Sequence, residues 1–186
     1  VPMQYQENVY GNNVPRSYAK AQRVTDDLII TAEKAIVGSD HAQAIVRLLK
    51  LQGSQVTVLT SYPIDIATLY LDNSRIIGFA KLNGAENAFL LVIQTITMLV
   101  GKVVRVNTSA NLIEVLGSNP NICSFSEYNS RVLIYPIGTR SVIIHIEESD
   151  GSTETNPPTY AQVVTVSEDL NTITSGTKVS VGLNSW

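Results

Sequence analysis

Residues 83–106 read "NGAENAFLLVIQTITMLVGKVVRV", and from Asn87 to Gly101 they carry no charge. The stretch admits four readings: a membrane span, a core helix, a pair of strands, or a surface that meets another copy of the chain. Fifteen residues interrupted by Gln94, Thr95 and Thr97 fall short of the ~20 apolar residues a spanning helix requires. Asn83 followed by Glu86 resembles a capping box, and Gly101–Lys102 a C-terminal stop. Ala85, Phe89, Ile93, Ile96 and Val100 trace a helical stripe, while Leu90, Leu91, Thr97 and Met98 extend the apolar surface almost all round. Such a helix must be covered from several sides. Caps and length favour a helix over 84–100. The rival is two strands meeting at Gln94–Thr95, favoured by the β-branched residues.

Outward from this stretch, the chain separates into an arm and a body. Residues 1–22 hold Tyr5, Tyr10, Tyr18 and two prolines with no helical or strand period. They form an extended N-terminal arm, too aromatic for a solvated tail and too short to pack a core. Residues 23–186 form a single β-rich domain. Asp40 with Gln43, the spacing of Ala42, Ile45, Val46 and Leu49, and Gly53 predict a second helix over 40–52. Residues 64–71 and 75–82 read as a hairpin across the "DNS" turn. After Gly101 only strands follow: 102–108, 111–117, 131–137, 141–148, and three short ones between 161 and 183. The fold class expected is therefore α+β and β-rich, an antiparallel sandwich or barrel, jelly-roll-like in one version, with two helices.

Composition narrows function by exclusion. Charged residues make up 16% of the 186-residue chain, against ~25% in ordinary domains. Ser, Thr, Asn and Gln replace them, so a surface can meet a neutral partner with little charge desolvation. The net charge of −3 and the scattered Lys and Arg provide no basic stripe for direct nucleic-acid contact. One cysteine, Cys123, allows no intrachain disulfide and suits a reducing compartment of synthesis. The first residues have no apolar run of the signal-peptide kind.

Chemistry-bearing motifs are missing: no glycine-rich phosphate loop, no C-x-x-C, no H-E-x-x-H, no G-x-S-x-G. His41 and His145 are the only histidines to serve as a base or ligand, too few for a zinc site without carboxylates. Ser39–Asp40–His41 reads as a helix start, and Asp26–Asp27 as a turn. Glu147, Glu148, Asp150 and Glu154 read as a solvated acidic loop rather than a calcium site.

No cofactor, metal or catalytic residue is expected, and the chain reads as non-enzymatic. In general character it resembles coat proteins, without a motif that names a family. The expectation is a self-assembling structural protein, a virus or phage coat or decoration subunit or a filament subunit, acting in a virion or other extracellular assembly. Its partners would be other copies or related subunits, met through Tyr5, Tyr10, Tyr18, Phe89 and Leu91. The alternatives are a cytoplasmic location, a binding module for carbohydrate or protein using Tyr128, Tyr135, Tyr160 and Trp186, and an enzyme with an unrecognised site.

Overall fold

The computed structural model describes residues 20–37, 41–66, 75–95, 98–124, 131–148 and 158–182. They form thirteen strands: β1 (Lys20–Arg23), β2 (Leu28–Val37), β3 (His41–Gln52), β4 (Gln55–Ile66), β5 (Arg75–Lys81), β6 (Ala88–Gln94), β7 (Met98–Asn107), β8 (Leu112–Ser124), β9 (Arg131–Gly138), β10 (Ser141–Glu147), β11 (Thr159–Val166), β12 (Ile173–Ser175) and β13 (Val179–Gly182). Three antiparallel sheets follow chain order: β1-β2-β3-β4, β5-β6-β7-β8, and β9-β10-β11-β12 with β13 also on β11. Each is a meander of consecutive strands, and none closes into a barrel.

The quoted stretch forms the middle of the molecule. β6, "AFLLVIQ", is buried at all seven positions. Alternate side chains of a strand point to opposite faces. Phe89, Leu91 and Ile93 enter a core with Ile30, Val46 and Leu48 of the first sheet. Ala88, Leu90 and Val92 enter a second core with Val142, Ile144 and Val164 of the third sheet. The second sheet is thus the centre of a three-layer stack, and the two cores are its two faces. β7 repeats the device: Val104 and Val106 face the first sheet, Leu99 and Val103 the third. A strand covered on both faces reads as a continuous apolar run rather than an alternation. That explains the apolar surface on every side without any helix.

Among the described residues neither expected helix is present. Over 84–100, the residues that resembled caps serve a hairpin. Asn83 to Asn87 form the β5–β6 turn, closed by the Leu82 amide donating to the Ala88 carbonyl at 2.9 Å, with Asn87 at φ 49°. Gly101 sits inside β7, where Ile122 and Ile173 fill the space beside it. The rival two-strand reading is the one observed, and residues 96–97 between the strands lie outside the described residues.

Over 40–52 the same competition resolves the same way. Ala44, Val46 and Leu48 point into the core, and Ile45, Arg47 and Leu49 point outward. Gly53 is not a helix terminus. It holds φ 62° as the first residue of the two-residue turn between Gln52 and Gln55. Glycine there is what a tight hairpin requires. Of the hairpin expected between 64–71 and 75–82, only 64–66 and 75–82 are described. β4 pairs with β3 in the first sheet and β5 with β6 in the second. Residues 67–74, with the expected turn, lie outside the described residues.

β8 runs on through Ser124, past the strand end expected at 117, while three other turns fall between the expected strands. Asn107 accepts from the Ala110 amide at 3.1 Å in the β7–β8 turn, and Arg140 at φ 52° turns β9 into β10. Residues 167–171 turn β11 toward β12, with Leu170 left-handed at φ 64° and its side chain in the second core.

Candidate functional surface

The residues singled out for chemistry do not converge. His41 begins β3, not a helix, so no helix N-terminus accompanies it. His145 lies on the outer face of the third sheet, opposite Leu133 and Ala161 in register. Asp26 and Asp27 belong to the β1–β2 turn. Asp26 pairs with Arg23 at 2.8 Å, and Asp27 accepts from the Thr25 hydroxyl at 2.9 Å. Among the described residues no group of three His, Cys, Asp or Glu side chains could hold a metal ion.

Cys123 is the nearest thing to a chemical cluster. It is buried, and its strand neighbour Ser124 offers its carbonyl to Lys178 Nζ at 3.1 Å. Lys178 also pairs with Glu148 and lies 4.1 Å from the centroid of the Tyr160 ring. Burial pushes the Cys123 thiol above its usual 9.0, Lys178 pulls it down and Glu148 pushes it up. A thiol held protonated by burial is a small hydrophobe rather than a nucleophile. The Lys178–Glu148–Tyr160 group ties β13's approach to the end of β10 and is structural.

The surfaces are more informative. β4 is an edge strand twelve residues long, with no strand on its outer side among the described residues. Its sequence from Gln55 to Ile64 carries no charge. Val56 and Val58 are 56% and 55% exposed, and they stand beside Leu51 and Leu49 on the outer face of the first sheet. Beyond Val58 β4 is blunted by a register shift and by Pro63; its first four residues, Gln55 to Val58, are not. Elsewhere on that outer face Arg47 pairs with Glu33.

At the opposite end of the stack, the outer face of the third sheet is also apolar. Leu133, Tyr135 and Ile137 form a row along β9, each about half exposed. Val163, Val179 and Val181 continue it across β11 and β13. At one end of the sheet Glu147 stands opposite Arg131 in register.

Of the expected contact residues, Phe89 and Leu91 are fully buried between this chain's own first and second sheets. Tyr5, Tyr10 and Tyr18 lie outside the described residues, as do Tyr128 and Trp186. Tyr160 is engaged by Lys178, and Tyr135 stands exposed. Sequence reading missed the outer rows. Their signals were the charge-free "QVTV" at 55–58 and the unbroken apolar "VLIYPI" at 132–137. No helix among the described residues is long and apolar enough to cross a membrane. No protein family matches the chain, and no curated protein or solved structure matches it either.

Proposed function

We propose that this protein is a self-assembling structural subunit, of the kind that builds a virus or phage coat or its decoration, or a filament. The observation that carries the reading is β4: a long edge strand whose first four residues, two of them exposed valines, are uncharged and unblunted. An edge offers a row of backbone donors and acceptors to another strand, and soluble proteins ordinarily guard it with lysine, proline or a bulge. Leaving it open favours pairing with an identical edge, which extends the first sheet from one copy into the next. Val56, Val58, Leu49 and Leu51 then supply an apolar strip across the junction. The low charge of the whole chain supports the same reading, since neutral surfaces meet without desolvating ions.

The test is light scattering coupled to size exclusion on the full chain and on Val56→Lys and Val58→Lys. Association of the parent that the lysines abolish, with circular dichroism unchanged, is the expected result. A parent that stays a single subunit at high concentration overturns the proposal. Of the residues named for the rival reading as a ligand-binding module, Tyr135 stands exposed and Tyr160 is engaged by Lys178, while Tyr128 and Trp186 lie outside the described residues.

A further inference from the structure

Gln55, Val56, Thr57 and Val58 are all exposed, and no strand lies along their outer edge among the described residues. Gln52 and Gln55 flank the two-residue turn at 53–54 and pair in register. In such a hairpin the flanking pair exchanges both backbone hydrogen bonds, and bonded and non-bonded pairs then alternate along the strands. Gln55 and Thr57 therefore turn their N–H and C=O groups toward β3. Val56 and Val58 turn theirs outward. The register shift after Val58 ends this alternation.

These facts restrict how the edge can meet a copy of itself. Residues directly opposite one another in an antiparallel pair share a face. Val56 and Val58 lie on the outer face of the first sheet, and Thr57 on the inner face opposite Lys50. A two-fold axis through Thr57 sets Val56 opposite the second copy's Val58. Every outward backbone group of the open stretch is then used: the two valines exchange both hydrogen bonds, and the symmetry repeats the exchange. Centring the axis on Val56 or Val58 instead places a bonded pair in the 53–54 turn or past the register shift. A parallel pairing sets the outer face of one sheet beside the inner face of the other and separates the valines.

The chemistry of the strip agrees. Leu51 and Val56 continue into the second copy's Val58 and Leu49 as one apolar row, and the symmetry repeats it. No charge lies between Leu51 and Ile64. The nearest cation in register, Lys50, is engaged by Asp27 at 3.9 Å. It stands three strand spacings, about 14 Å, from its symmetry mate, where salt screens the repulsion.

We infer that β4 joins two copies as an antiparallel pair about a two-fold axis through Thr57, with Val56 opposite the second copy's Val58. The inference rests on the assembly reading and sharpens it. Each copy has one β4 edge, so the pair closes on itself, and a larger coat or filament needs a further contact away from β4. Four residues a side make a small contact of the weak class, so the pair forms at high concentration.

The test is disulfide trapping in the full chain. On the axis Thr57 meets its mate in a non-hydrogen-bonded pair, with Cα atoms ~4.5 Å apart, within reach of a disulfide. Gln55 shares the inner face and the exposure, but its mate stands about 14 Å away along the strand. Thr57→Cys and Gln55→Cys are oxidised with copper phenanthroline, which takes up the two electrons, and the linked peptides are mapped by mass spectrometry. Expected is a two-chain product joined through position 57, formed at least about tenfold faster than any joined through position 55. Native Cys123 is buried and stays out of the reaction. A second arm needs no oxidant. Val56→Lys/Val58→Glu sets opposite charges across the pair and Val56→Lys/Val58→Lys sets like ones, so the first should associate at least about tenfold more tightly by light scattering. A parent that associates without preferential linkage at 57, or with the two charged variants alike, overturns this pairing and leaves the assembly reading standing. A parent that stays a single subunit at high concentration overturns both.

Discussion

Gly117 shows how little room the second core leaves. A Cβ placed there would stand 2.7 Å from the Leu170 carbonyl oxygen and 3.1 Å from that of Asn171. Backbone cannot swing aside as a side-chain tip can, so Gly117→Ala should cost about 1–3 kcal/mol. Urea melts of this variant, against Gly138→Ala where a Cβ meets nothing within 4 Å, check it. The turn that brings Leu170 there has its own pH dependence. Asp169 accepts from the Ser167 hydroxyl and from the backbone and side chain of Asn171, and these bonds hold its carboxyl below the usual 3.8. A depressed carboxylate stabilises the fold at pH values above its unfolded pKa, and that contribution is lost as pH falls through the folded value. The Tm difference between the parent and Asp169→Ala should therefore be present at pH 6 and shrink steadily below roughly pH 4. Cys123 gives a third residue-scale expectation. Burial keeps the thiol protonated and covered, so a disulfide reagent at pH 8 should modify it at least about tenfold more slowly in the native chain than in denaturant. Rapid stoichiometric labelling of native protein would contradict the structure around it.

At the scale of the element, β6 is where a substitution does most damage, because each of its side chains belongs to one of two cores. Phe89 meets Phe79 edge-on, with centroids 6.1 Å apart, inside the first core. Truncating a buried aromatic side chain leaves a cavity, so Phe89→Ala should lower stability by about 3–5 kcal/mol in a denaturant titration. Leu91→Asp is harsher, since a carboxylate between two sheets has neither water nor a partner. That variant should fail to fold, giving no cooperative transition by circular dichroism. A folded, soluble single subunit would instead mean that Leu91 faces another copy. The contrast with β4 is physical. β6 is enclosed by sheets on both faces and strands on both edges, whereas among the described residues β4 has a strand on one edge alone. Lysine at Val58 should therefore leave the fold intact while altering association.

At the scale of the whole molecule, three meanders stacked by shared faces make an object with two ends, and both ends are apolar. The first-sheet end presents β4 and its valines; the third-sheet end presents the β9 row. Among the described residues, no strand or sheet covers either of these surfaces. Dilution should weaken β4-mediated association, read as a fall in mass by light scattering as concentration falls.

The sequence by itself determined several things: a β-rich chain of strands bounded by turns, a low share of charge, and an apolar run from Phe89 that has to be covered. It also placed most turns after Gly101, because asparagine, glycine and proline report local backbone geometry directly. Tertiary structure alone decided that 41–52, 88–94 and the residues from 98 onward form strands rather than helices. Ala, Leu and Gln favour helices locally, and Asn83 with Glu86 or Asp40 with Gln43 imitates a cap. The period of an apolar run disappears when both faces of a strand are covered, so local pattern cannot separate it from a helix covered all round. The stacking of the second sheet between the other two resolves the ambiguity, and that depends on pairings between residues far apart in the chain. The exposed rows at either end were illegible for the same reason. Whether an apolar strand faces a core or open water is a property of its neighbours.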